Sequence, residues 1–209
     1  MNFFLHRSPF LLQWVLSDYT WRIDTSEKII YLTFDDGPIP VVTENVIKVL
    51  EDFKAAATFF CIGDNVRKHP EIFRELKKRG HSIGNHTYNH LNGWKTADNV
   101  YLDNFQKCQD ILETDTLLFR PPYGRIRKAQ YRLLPGDTKL MMWDVLTGDF
   151  SPDVQSGAAL NSVIRLSRPG TIMLLHDSIK AEQKMSYILP RVLEHFSEKG
   201  YRFDALPMR

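Results

Sequence analysis

A parallel α/β sheet with crossover helices is the fold this sequence predicts, as an open doubly wound sheet or a barrel, on three observations. Short β-branched and aromatic runs alternate with amphipathic stretches from about residue 28 to the end, the order that places helices between parallel strands. The chemistry-bearing residues fall just behind those runs, where loops leaving C-terminal strand ends build active sites in such folds. Composition agrees: 209 residues with 43% hydrophobic, 12% aromatic and 25% charged side chains fit one cored domain, not a disordered or fibrous chain.

The first strand is read at 29–34 (IIYLTF), ended by the turn signal Asp35-Asp36-Gly37-Pro38. Val42, Val46, Val49, Leu50 and Phe53 mark one face of a helix. A strand at 57–62 and a helix at 71–79, ended by Gly80, come next. A brief strand at 82–84 runs into a histidine-rich turn, and Leu102, Phe105, Cys108 and Leu112 stripe a longer helix. Strands are expected at 117–119, 140–143 and 171–175, with helices around 127–134 and 155–167. The last helix carries Ile188, Leu189, Val192, Leu193 and Phe196. Proline lacks an N–H and clashes inside a helix, so Pro190 is placed in its first turn. Gly200 stops that helix before a closing strand at 201–203. The chain reads as one domain over 27–209, with Phe3, Phe4, Phe10, Trp14, Tyr19 and Trp21 of segment 1–26 expected to pack on it.

Twenty-seven basic against 25 acidic residues give +2, so no field gathers nucleic acid, and no nucleic-acid partner is expected. Cys61 and Cys108 make no disulfide framework. No apolar run approaches about 18 residues, so no transmembrane segment is expected. Residues 10–16 resemble a short signal core behind Arg7, but Gln13 interrupts it, Asp18 follows, and no small-residue cleavage site precedes Trp21. A cytoplasmic location is the expectation, with export or membrane docking through this segment the alternative.

His86 and His90 are four residues apart, one helical turn, which turns both imidazoles toward one metal ion. Two imidazoles leave a site incomplete, and Asp35-Asp36 offers a carboxylate. Adjacent carboxylates repel; a metal bound by one relieves this while the other stays beside it as a base. Arg120 can hold that second carboxylate in place and ionised. His176, at the end of an apolar strand, can protonate a leaving group from the opposite side. It needs an orienting carboxylate, and Asp149 or Asp144 can serve. The cysteines and His6, His69, His81 and His195 lack partners at ligand-like spacing and are read as structural or solvent-facing.

TFDDGP at 33–38, HTYNH at 86–90, RPPYG at 120–124, WDVLTGDF at 143–150 and LLHD at 174–177 resemble, in order, the motifs of the polysaccharide deacetylases. These are the chitooligosaccharide (NodB-type) deacetylase family of carbohydrate esterases, and the resemblance runs from about residue 27 to 203. It implies a distorted (β/α) barrel of seven parallel strands. It also implies a divalent metal on Asp36, His86 and His90, usually zinc, with cobalt, nickel or manganese suited to the same donors.

By the same resemblance, Asp35 is the general base tethered by Arg120, the Tyr123 backbone N–H holds the oxyanion, and His176 is the general acid oriented by Asp149. Leu174 lines a pocket for the acetyl methyl, and Pro121 and Phe150 contact substrate. The implied reaction removes an acetyl group from an N-acetylated carbohydrate, a chitooligosaccharide or peptidoglycan-like N-acetylglucosamine, by metal-activated water. O-acetylated xylan or another small amide or ester is the alternative, and a non-catalytic glycan-binding domain the third reading. One departure stands out: Asp149-Phe150 replaces the family's common Asp-Trp. Phenylalanine keeps an apolar wall but loses ring area and an N–H donor, leaving Trp94 and Trp143 as candidates for stacking on a sugar.

Overall fold

The 29–34 run becomes β1 (Ile29–Asp35), the central strand, buried along its whole length. That is why it reads as an uninterrupted apolar run rather than an alternation: Ile30, Leu32 and Phe34 face the helices, while Ile29 and Tyr31 face inward onto Phe60, Leu118, Met141, Ile172 and Leu206. The computed structural model describes residues 4–208. The remaining strands are β2 (Thr58–Cys61), β3 (Ser82–Asn85), β4 (Leu118–Phe119), β5 (Lys139–Leu140), β6 (Val145–Leu146), β7 (Thr171–His176) and β8 (Arg202–Phe203). The order is β5-β4-β3-β2-β1-β7-β6, and β8 pairs beside Ile29 and Ile30 of β1, just before the Thr33–Asp35 stretch that pairs β2. All the pairings are parallel. The seven strands of that order curl into a half-barrel, with β8 alongside β1, the barrel-type α/β architecture implied by the motifs.

The helices are α1 (Phe10–Val15), α2 (Val42–Asp52), α3 (Gly63–Lys68), α4 (Pro70–Lys78), α5 (Asp98–Leu112), α6 (Lys128–Leu133), α7 (Ser156–Leu166) and α8 (Glu182–Glu198). Three expectations are corrected. The sequence gives no sign of α3, because Val66 is its one buried apolar side chain and no period can show. Pro190 lies inside α8 rather than in its first turn. There Met185, Ile188, Leu189, Val192, Leu193 and Phe196 are buried. At about 1.5–3 kcal/mol each, their burial outweighs a proline penalty of about 3 kcal/mol. The strand read at 140–143 stops at Leu140, and the sheet resumes at β6, which the sequence reading missed.

The N-terminal segment packs only in part. Trp21 is buried, Tyr19 meets Tyr131 edge-on at 5.5 Å, and Phe4 meets Phe150 at 6.2 Å. Phe10 and Trp14, however, are 81% and 66% exposed, and α1 buries none of its residues. The segment is held by its flanks instead, through bridges from Arg7 to Val145 and from Thr20 to Met141. Phe3 lies outside the described residues. No helix among them is long and apolar enough to cross a membrane.

Candidate active site

Strand register places the central groups. Asp35 and His176 are paired neighbours at the C-terminal ends of β1 and β7, while β3 delivers His86 and β4 delivers Arg120 one residue beyond their ends. Asp36 leaves β1 with φ 87°, and its carbonyl accepts from the Asn65 side chain at 2.7 Å. The next residue must be glycine, since a Cβ on Gly37 would lie 1.9 Å from Asp177 Oδ2. Buried Asp177 anchors this turn, accepting from the Gly37 N–H at 3.0 Å and the Thr43 hydroxyl at 2.6 Å.

His86 and His90 do converge, but not through a helical turn. Thr87 and His90 adopt positive φ (61° and 57°), and side-chain oxygens of Asn85 and Asn104 cap the amides of Thr87, Tyr88 and Asn89. The tight loop brings the two rings to 5.1 Å between centroids. Asp36 Oδ1 lies 3.4 Å from His90 Nε2 and 3.9 Å from His86 Nε2. The Arg120 carbonyl is 2.7 Å from His86 Nδ1; a carbonyl only accepts, so Nδ1 holds the proton and the Nε2 lone pair faces Asp36.

One ligand atom from each of the three residues lies within 4.8 Å of the others. Asp36 Oδ1 is buried with no hydrogen-bond partner among the described residues, an expensive state for a carboxylate oxygen unless a cation completes it. Burial drives the His86 pKa well below its ordinary value, helped by His90, and burial lowers that of His90 too. Both are therefore neutral at pH 7, the form that ligates a metal. Two imidazole nitrogens and a carboxylate oxygen fit a divalent first-row cation.

Asp35 is engaged differently. Fully buried Arg120 donates to its Oδ1 at 2.7 Å. The same guanidinium donates to Thr33 Oγ1 and to the carbonyls of Met141 and Met142, and lies 4.1 Å over Phe60. The buried charge is thus paired and hydrogen-bonded on several sides.

His176 Nδ1 lies 2.8 Å from Asp149 Oδ1, and the His176 backbone N–H donates to Asp149 Oδ2 at 2.8 Å. Burial alone lowers the His176 pKa, but Asp149, then Asp35 and Asp36, overcome it and push it up to about 9. Asp144 is not an alternative partner. It precedes β6 instead of following a strand, and it binds Arg7 at 3.2 Å and Thr171, the first residue of β7, at 3.2 Å.

Asp35, Asp36, His86, His90 and His176 line a cavity of about 790 Å³ together with Tyr123, Leu174, Trp143 and Phe150, while Arg120 and Asp149 stand behind it. Tyr123 has φ 62° and its ring is 4.6 Å from that of His90. The Phe150 ring is 4.9 Å from His176. Pro121 is buried and does not line the cavity, and Trp94 stands outside the lining, 60% exposed. The sequence reading gave no role to Asn65, Arg125, Ile179 or Lys180, which also line it. The position rule could have found Asn65, close behind β2, and Lys180, close behind β7. His81 is structural, accepting from the Ala57 N–H at 3.3 Å, and both cysteines are buried and unbridged.

Comparison with known proteins gives a consistent result. The family model described as polysaccharide deacetylase matches residues 22–134. A peptidoglycan-N-acetylglucosamine deacetylase of Bacillus cereus is 36% identical over 191 residues, covering 88% of this chain and 89% of that one. A chitooligosaccharide deacetylase of Azorhizobium caulinodans is 33% identical over 169 residues, covering 78% and 80%. The crystal structure of the Bc1960 peptidoglycan N-acetylglucosamine deacetylase superposes with a TM-score of 0.85 at 31% identity, covering 96% of this chain and 95% of that one. The match spans most of the sequence and nearly all of the fold, and on it this chain belongs to the polysaccharide deacetylase family.

Proposed function

We propose that the chain hydrolyses the N-acetyl group of an N-acetylglucosamine-containing glycan, using a divalent metal, zinc foremost, held by Asp36, His86 and His90. The observation that carries this is the division of labour between adjacent carboxylates. Asp35 is locked onto a buried arginine, while Asp36 Oδ1 faces two neutral imidazoles without a hydrogen-bond partner among the described residues. A cation bound there supplies Lewis acidity, polarising the acetyl carbonyl and lowering the pKa of water.

The chain's own groups supply the proton transfers. Arg120 occupies Asp35 Oδ1, leaving Oδ2 to accept a proton from the attacking water. The Tyr123 backbone N–H, turned by the left-handed φ, donates to the developing oxyanion. His176, protonated at neutral pH, gives its proton to the amide nitrogen as the C–N bond breaks, releasing acetate and a free amine. Leu174 and Phe150 offer the acetyl methyl an apolar wall.

Acetate release tests the reading, measured on chitin oligomers, peptidoglycan and acetylxylan before and after chelation and zinc replacement. Acetate should come from an N-acetylated glycan, stop on chelation and return with zinc. Release from acetylxylan alone overturns the choice of substrate, and release that survives full chelation overturns the metal.

A further inference from the structure

The two halves of the site are fastened to different parts of the sheet. Asp36 and His86 follow β1 and β3, interior strands with a neighbour on each side. Asp149 stands in the loop behind β6, a strand of two residues at the end of the strand order. A strand that short, paired by the sheet on one side, does little to hold the loop behind it.

The N-terminal segment supplies the other side. Residues 6–8 run antiparallel along β6: the Leu146 N–H donates to the His6 carbonyl at 2.9 Å and the Ser8 N–H to the Asp144 carbonyl at 3.0 Å, with Arg7 opposite Val145. Side chains fasten the same stretch. His6 Nδ1 donates to the Leu146 carbonyl at 2.9 Å, Ser8 Oγ to the Trp143 carbonyl at 2.6 Å, and Arg7 Nε to buried Asp144 at 3.2 Å.

Just ahead of this strap, Phe4 bears on the residues at both sides of Asp149. Gly148 has φ 73°, and a Cβ there would lie 2.7 Å from Phe4 Cε1, so the ring packs against bare backbone. On the far side Phe4 meets Phe150 edge-on at 6.2 Å, and Phe150 meets His176 at 4.9 Å. Asp149 takes both the ring and the backbone N–H of His176 at 2.8 Å. Such contacts weaken steeply off line, so a loop free to drift would lose them first.

Resting on the N-deacetylation proposed above, we infer that the N-terminal strap belongs to the acid half of the active site, with Phe4 a positioning residue that holds Asp149 in line with His176. Phe4 does not line the cavity, so it acts through the 148–150 loop and touches no substrate.

The test is a double-substitution cycle in the zinc-loaded full chain. Acetate release from an N-acetylglucosamine tetramer gives kcat, with metal content and urea unfolding measured on the same preparations. Phe4→Ala should lower kcat about tenfold with the metal retained, and Phe4→Leu, which keeps an apolar side chain against Gly148, should lose less. Once the Asp149 carboxylate is gone, Phe4 has little left to position. In an Asp149→Asn background, Phe4→Ala should therefore cost less than about twofold more. Where Phe4→Ala fails to fold, Phe4→Leu runs the same cycle. A loss of equal factor in both backgrounds, an unchanged kcat in the folded single variant, or metal lost along with kcat overturns the inference and leaves N-deacetylation standing. No acetate from the wild type, on the tetramer or on peptidoglycan, sinks both.

Discussion

His176 with Asp149, and His86 and His90 with Asp36, are the same chemical groups in one cavity, yet they reach opposite protonation states. Burial disfavours the imidazolium in all three. What separates them is the approach of the carboxylate. Asp149 presents one oxygen to Nδ1 at 2.8 Å and the other to the backbone N–H of the same residue, so the pair is locked in line. Asp36 comes no closer than 3.4 Å to either ring, its two neighbours face each other, and burial wins. Nearness alone does not make an acid; a short, directed contact does. The same residue type is thereby held protonated on one wall and neutral on the other.

The largest effects should come from breaking the two arrangements separately. Asp36→Ala removes the one anionic donor of the ligand set, and metal content and acetate release should fall together, the latter by at least about 10³-fold. His176→Asn should cost about 10²- to 10⁴-fold in kcat while the metal stays bound. Metal analysis beside turnover reads the difference. If His176→Asn also strips the metal, the two walls are not independent and the comparison fails.

Asp149→Asn sharpens the contrast with a smaller loss, about ten- to a hundredfold. In the proposed mechanism His176 is the acid, so turnover needs it protonated, and its pKa of about 9 keeps it so through neutral pH. Without the Asp149 charge, burial is opposed only by more distant carboxylates, and the alkaline limb of the rate profile should move down from near 9. The variant should then lose more at about pH 8 than at about pH 6. Stability follows the same sign: a raised histidine pKa stabilises the fold below about 6.5, and that contribution fades as pH rises through about 9. An alkaline limb that stays in place would show that another group sets it.

The motifs made the site's membership legible, but not all of its geometry. Asp35, His86, Arg120 and His176 could be anticipated because each ends or directly follows a strand, and strand ends are readable from β-branched runs. The path between His86 and His90 was not readable as a helical turn, since the loop depends on positive φ at Thr87 and His90 and on caps from Asn85 and Asn104. Neither residue announces such a conformation locally. Asp144 looked equivalent to Asp149 because β6 is only Val145–Leu146, too short to mark which residue follows it. Pro190 misled for the opposite reason: a local rule was overridden by the buried stripe of α8, which no single turn reveals. The exposed apolar side chains of α1 could not be foreseen either, because hydrophobic residues signal burial only where a partner surface exists.

The smallest effect concerns a fourth imidazole, His81, which carries the comparison to its limit by having no carboxylate beside it among the described residues. Burial, helped by Arg79, lowers its pKa to about 4, and its Nδ1 accepts from the Ala57 N–H. A depressed histidine pKa gives stability that is full above about 6.5 and is lost as pH falls toward about 4, because the unfolded chain takes up the proton first. Between about pH 7 and pH 5 the loss from this one residue should be on the order of 2 kcal/mol. His81→Asn keeps an acceptor for the Ala57 amide and removes the titration. Urea unfolding at the two pH values should therefore show a smaller acid loss for the variant than for wild type, with turnover nearly unchanged. His86 and His90 still contribute to both proteins, so the difference between the two slopes isolates His81. Identical slopes would mean that water reaches and relieves the buried ring, and that burial without a partner is not what lowers the imidazoles in this fold.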